Sequence, residues 1–129
     1  MDAAQLAALS PEHRDFCQRF QSFWAAPSGA RVAELISPDA VIQFTGFPAM
    51  SGADYVGAMG EMLAASVDLT VTPLDCAGNG DRLYISWRCE SRVGGRMVSY
   101  LGVDRFRISN GMAVEEQVIF DSAVLQPVA

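Results

Sequence analysis

Apolar residues recur every three to four positions through the first half of the chain and every second position through most of the second half. That change of period predicts helices followed by strands. Ser10-Pro11-Glu12 has the form of a helix start, with a capping hydroxyl and then a proline whose missing N–H costs nothing there. Phe16, Phe20, Phe23 and Trp24 follow at helical spacing as one broad apolar face, and Pro27-Ser28-Gly29 ends the helix. A short second helix is predicted over about Ala30 to Ile36, carrying Val32, Leu35 and Ile36, with Ser37-Pro38-Asp39 breaking it. Val41-Ile42-Gln43-Phe44 reads as a short strand, and Thr45 to Met50 as a Gly/Pro loop. Ser51 then caps a third helix reaching about Ser66, with Asp54 as a capping-box variant and Tyr55, Met59, Met62 and Leu63 as its apolar set.

After Ser66 the period becomes two. Val67 to Thr72 alternates as a strand running on toward Ala77, and Gly78-Asn79-Gly80-Asp81 is a turn. Leu83 to Arg92 is a second strand, Val93-Gly94-Gly95-Arg96 a tight turn, and Met97 to Ser109 a third strand. Asn110-Gly111 is a strong hairpin signal before a fourth, Met112 to about Val124. Three helices and a four-strand meander, with one short strand among the helices, predict an α+β fold. The helices would cover one face of a strongly curved antiparallel sheet, forming a cone with an internal apolar pocket. No repeat or linker interrupts the 129 residues, so a single domain over 1–129 is expected.

Half of the residues are hydrophobic, more than a minimal core needs, and the surplus can line a cavity or a subunit interface. The net charge of -6, without any basic block, argues against nucleic acid and membrane partners. The start MDAAQLAALSPEHRDF has no signal-peptide pattern, and no stretch approaches the length of a membrane span. Cys17, Cys76 and Cys89 lack metal-like spacing and are odd in number, which points to a reducing, cytoplasmic compartment. His13, the single histidine, falls in the first turn of a helix and is expected at the surface. With no acid cluster around it, neither a metal nor another cofactor is expected.

A two-residue loop at Gly94-Gly95 fixes the next register: Arg92 opposite Met97, Cys89 opposite Tyr100, Trp87 opposite Gly102 and Ile85 opposite Asp104. Side chains alternate, so Leu83, Ile85, Trp87, Cys89, Tyr100, Asp104, Phe106 and Ile108 share one face. Asp104 is its single acid. An unpaired carboxylate there costs several kcal/mol (~2–7) to bury, so it gains partners or keeps its proton. On the last strand Val114, Glu116, Val118 and Phe120 share a face, with Glu116 the exception to its apolarity. A three-residue loop with a bulge would bring Glu116 beside Asp104. A simple Asn110-Gly111 turn would send it outside, toward Arg105 or Arg107, and both registers stay open. Leu101, Val103 and Ile119 lie among polar residues on the outer face and predict a homodimer contact.

The strand Gly102-Val103-Asp104-Arg105-Phe106-Arg107-Ile108, its Asn110-Gly111 turn, the segment through Asp121 and the Ser37-Pro38-Asp39-Ala40 lead resemble the ketosteroid isomerase and SnoaL-like polyketide cyclase group. The resemblance spans nearly the whole chain and implies the nuclear-transport-factor-two-like cone fold. It also implies that Asp104 matches the oxyanion-hole acid of the isomerases and the acid/base aspartate of the cyclases. Two familiar polar groups are missing. The isomerase tyrosine of the first helix falls at Phe20, and the proton-abstracting aspartate at Phe44. Arg88-Cys89-Glu90 has the Arg-x-acid spacing of limonene-epoxide-type hydrolases, but the register turns both charges away from Asp104, and that family's last-strand acid falls at Val118. A surface ion pair is the expectation for Arg88 and Glu90.

The sequence is therefore read as a cofactor-independent acid/base enzyme of isomerase, cyclase or lyase type. Its substrate would be a neutral hydrophobic molecule such as a polyketide, terpenoid or steroid-like compound. Asp104 and Glu116 are the candidate catalytic residues. Phe20, Trp24, Phe44, Tyr55 and Trp87 are candidate pocket walls, as are Tyr100, Phe106, Val118 and Phe120. Two alternatives stand beside it: a non-catalytic small-molecule-binding or dimerising module of the same fold, and an epoxide hydrolase.

Overall fold

Ser10 accepts a hydrogen bond from the His13 amide at 3.2 Å and opens α2 (Pro11–Ala25) in the computed structural model, which describes residues 1–125. An unpredicted short helix, α1 (Ala3–Ala7), precedes it, opened by a capping box between Asp2 and Gln5. The predicted second helix is a single 3-10 turn, Ala30–Glu34. Sheet pairing cuts it short, because the Ala113 amide bonds the Leu35 carbonyl at 2.8 Å and Ile36 pairs with Ala113. Strand β1 (Ile36–Phe44) thus begins five residues before the predicted start, and Ser37-Pro38-Asp39 lies within it at a register shift. Met50–Ser51, placed in the loop by the sequence, forms the small strand β2 against β1. Ser51 also caps α3 (Gly52–Ala65), taking the Asp54 amide at 3.1 Å.

Four long strands follow: β3 (Thr70–Asn79), β4 (Arg82–Val93), β5 (Arg96–Ser109) and β6 (Met112–Phe120). The fourth strand stops short of Val124, and a 3-10 turn, Ser122–Leu125, takes its place. The six-stranded sheet runs β2-β1-β6-β5-β4-β3. All neighbours are antiparallel except β1 and β6, which are parallel, so the sheet is mixed rather than wholly antiparallel. Helices α2 and α3 pack on one face of this α+β fold. Phe16 and Phe20 of α2 meet Phe106 of β5 edge to face, at 4.8 and 5.9 Å between ring centroids. The start of α2 is anchored to the β5–β6 turn, where Glu12 accepts from the Gly111 amide at 3.1 Å and Arg19 donates to the Gly111 carbonyl.

Two bulges bend the sheet. In β3 the register shifts between Pro73 and Asp75, leaving Leu74 without an opposite residue. In β6 the shift leaves Val114 extra between Ala113, opposite Ile108, and Glu115, opposite Arg107. His13 is a correction to the sequence reading: it is 3% exposed, because the start of α2 crosses β3 where Gly78 has no side chain and the imidazole fills that space.

Candidate active site

The β4–β5 register is the one expected from Gly94-Gly95, whose φ angles of +58° and +78° make the two-residue turn. It sends Trp87, Cys89, Tyr100, Asp104 and Phe106 to the helix-covered face. Trp87 lies across its partner Gly102, so closely that a methyl group at position 102 would overlap the indole. That packing turns Trp87 into a wall.

The two registers open for Glu116 are resolved in a way neither described. Asn110-Gly111, both at positive φ, does form the two-residue turn, with Ser109 opposite Met112. The bulge comes after it, at Val114, and moves Glu116 opposite Phe106 on the inner face. Glu115 takes the outer position and meets Arg105 and Arg107 at 3.5 and 3.3 Å. Asp104 and Glu116 are thereby buried together, 5% and 4% exposed.

Burial is the main cause that raises both acids. It pushes Asp104 up to about 7, against which a hydrogen bond to Glu116 and another from the Trp87 indole favour the charged form. Glu116 is held well above the carboxylate range by burial first and then by the neighbouring charge of Asp104. Two carboxyls in this relation resist carrying two negative charges at once. The phenol of Tyr55 stays neutral, since burial and then the charges of Glu116 and Asp104 oppose its ionisation.

A cavity of about 320 Å3 opens in front of Asp104. Trp24, Phe44, Tyr55, Trp87, Tyr100, Val118 and Phe120, all expected walls, line it. So does Cys89, expected on this face, and so do Phe47, Met50, Ala58, Met59, Met62, Leu69 and Val71, which were not named as walls. The methionines had a detectable signal, since Met59 and Met62 follow Tyr55 on the apolar stripe of α3. Phe20 and Phe106 do not line this cavity. Together with Tyr55, Asp104 and Glu116 they border a smaller void of about 30 Å3 behind the acid pair. Asp104 borders both spaces, whereas Glu116 borders only the smaller one. Arg88 and Glu90 lie on the outer face away from the cavity, as expected. The ion pair anticipated between them is not formed, because neighbours two apart on a strand extend side by side. Among the described residues no cluster of three metal-ligating side chains occurs.

The comparisons place this α+β fold, with its acid-bearing apolar cavity, in a known family. The SnoaL-like domain model matches residues 17–116, and the chain belongs to that family. A proposed SnoaL-like polyketide cyclase from Jannaschia sp. superposes with a TM-score of 0.74 at 18% identity, over 91% of this chain and 92% of that one. IdmH from Streptomyces antibioticus, a proposed polyketide cyclase, gives 0.72 at 20% identity over 86% and 93%. A ketosteroid isomerase-like fold from Catenulispora acidiphila, in complex with trimethylamine, gives 0.75 at 14% identity over 88% of each chain. No curated protein matches the sequence significantly.

Proposed function

We propose that this protein is a cofactor-independent acid/base enzyme of isomerase, cyclase or lyase type whose substrate is a neutral hydrophobic polyketide, terpenoid or steroid-like molecule. The observation that carries the reading is the placement of one carboxyl, Asp104, in an otherwise apolar cavity with a second carboxyl behind it. Asp104 meets the substrate: protonated, it donates to a carbonyl, enol or epoxide oxygen, and ionised, it removes a proton. Glu116 acts through Asp104, keeping its own proton and donating it as a hydrogen bond to the Asp104 carboxylate. Trp24, Phe44, Tyr55, Trp87, Tyr100, Val118 and Phe120 hold the substrate, while Phe20 and Phe106 support the pair from behind.

Among the described residues no arginine borders the cavity, so a phosphorylated or acyl-coenzyme A ligand would meet no counter-charge there. The related Catenulispora fold is in complex with a small molecule, trimethylamine, which supports a ligand-binding reading of the fold. Calorimetry on neutral steroids and aromatic polyketides, set against nucleotides and coenzyme A esters, tests the proposal. Neutral ligands are expected to bind, and Asp104→Asn to weaken them by about tenfold or more, the worth of a hydrogen bond to a buried polar group. Equal binding by Asp104→Asn would favour the non-catalytic module. Tight binding of a phosphorylated ligand, lost on changing Arg88, would move the site to the other face of the sheet.

The same reading includes a homodimer through the outer face, supported by Leu101 at 61% and Ile119 at 43% exposure beside Val103. It also includes a cytoplasmic setting, supported by the free thiols of Cys17, Cys76 and Cys89. Among the described residues no helix is long and apolar enough to cross a membrane.

A further inference from the structure

The small void behind the acid pair is walled largely by aromatic and aliphatic side chains of α2, the 3-10 turn, α3 and β5, among them Phe20, Val32 and Phe106. Its ionisable groups are Asp104 from β5, Glu116 from β6 and Tyr55 from α3. The indole of Trp24 is its other polar group, and α2 and the 3-10 turn bring no charge to it. Each carboxyl keeps one fully buried oxygen without a hydrogen-bond partner, Oδ1 of Asp104 and Oε1 of Glu116. Once the pair loses a proton, a negative charge rests on it, and among the described residues no arginine, lysine or histidine borders the void. The two partnerless oxygens still need hydrogen-bond donors.

The void has the right size and chemistry for water. About 10–15 Å3 of such space holds one ordered molecule, provided two to four polar groups face it. The 30 Å3 here, bordered by two carboxyls, a phenol and an indole, admits one or two. We propose that this void is a built water site, in which one or two molecules bridge Asp104 and Glu116 and donate to whichever carboxyl is ionised.

The role in turnover rests on the proposed acid/base chemistry; the site itself does not. When the O–H bond of Asp104 breaks and its proton passes to a substrate oxygen, the negative charge rests on Asp104, where protonated Glu116 and the water donate to it. A proton taken from substrate carbon re-forms the Asp104 O–H bond, so no net proton is exchanged with solvent. The apolar cavity need not admit water for the pair to ionise.

The test uses the complete, unliganded protein. A high-resolution crystal structure is expected to show one or two waters within hydrogen-bond reach of both carboxyls. Val32→Ile, which enlarges a side chain bordering the void, is expected to displace water. It should also raise the first ionisation of the pair, followed by carboxyl-carbon NMR, by about one pH unit, a tenfold change in the ionisation constant. A dry void in the wild-type map overturns the proposal, as does displaced water with an unmoved titration. If Val32→Ile fails to fold, the wild-type map decides alone. Failure of the neutral-ligand panel with the water in place would count only against the enzymatic reading.

Discussion

Keeping two acids inside a protein has a cost that depends on pH, and here its sign can be worked out. In the unfolded chain Asp104 and Glu116 ionise near their ordinary values, about 3.9 and 4.3. In the folded chain burial raises both, Asp104 to about 7 and Glu116 well above its ordinary value. Between those limits the folded state binds more protons than the unfolded state, so stability falls as pH rises. Melting followed by circular dichroism should therefore give a higher Tm at pH 5 than at pH 8. Asp104→Asn should flatten the profile and stabilise the protein at pH 8 by roughly 1–3 kcal/mol, since a neutral amide replaces a group that resists ionisation. A wild-type profile that climbs from pH 5 to pH 8 would mean that the pair is ionised and well solvated. His13 illustrates the same scale from the other side. Position in a first helical turn suggested exposure, but a glycine on a distant strand decided its burial, and nothing local to His13 announces Gly78.

Among the elements, β6 shows what a strand pattern can and cannot reveal. The β4–β5 register was legible because Gly94-Gly95 leaves few loop geometries, and one loop sets all twelve pairs. The same logic applied to Asn110-Gly111 found the turn but not the bulge three residues later. Ala113 and Val114 are both plausible inward residues, and only packing against β5 and the Leu35 carbonyl selects Ala113. The beginning of β1 was hidden likewise, since a Ser-Pro-Asp breaker was absorbed by parallel pairing with β6. Removing Val114 should abolish the bulge while leaving Glu116 opposite Phe106. Such a variant is expected to lose about 1–2 kcal/mol through lost curvature, with the titration of the pair nearly unchanged. A return of Glu116 to ordinary carboxylate behaviour would show that the bulge itself holds it inside. Gly102→Ala should cost about 1–3 kcal/mol by driving Trp87 from its seat, measured by urea denaturation.

At the scale of the whole molecule, the two faces of the sheet divide the work. The inner face was largely readable from alternation: seven of nine expected wall residues border the main cavity, and the other two lie just behind it. Phe47, contributed by the β1–β2 loop, was not, because a loop carries no period; Leu69 was read within an alternating strand, but the strand itself begins one residue later, at Thr70. The outer face presents Leu101, Val103, Ile119 and Tyr84 beside Arg105 and Glu115, a mixed surface of the kind buried between subunits. Sedimentation at micromolar concentration is expected to show a dimer, and Leu101→Glu a monomer with an intact melting transition. A wild-type monomer at that concentration would remove the dimer from the proposal.

The walls of the cavity also make the protein its own optical gauge. Its two tryptophans, Trp24 and Trp87, both border the same space, one on a helix and one on the sheet. Their emission comes from the two sides of whatever enters, with no third indole elsewhere to dilute the signal. A guest that carries a quinone or an extended aromatic chromophore should quench both, and a saturated one should shift both toward the blue. Ligands can thus be screened by light on the unmodified chain.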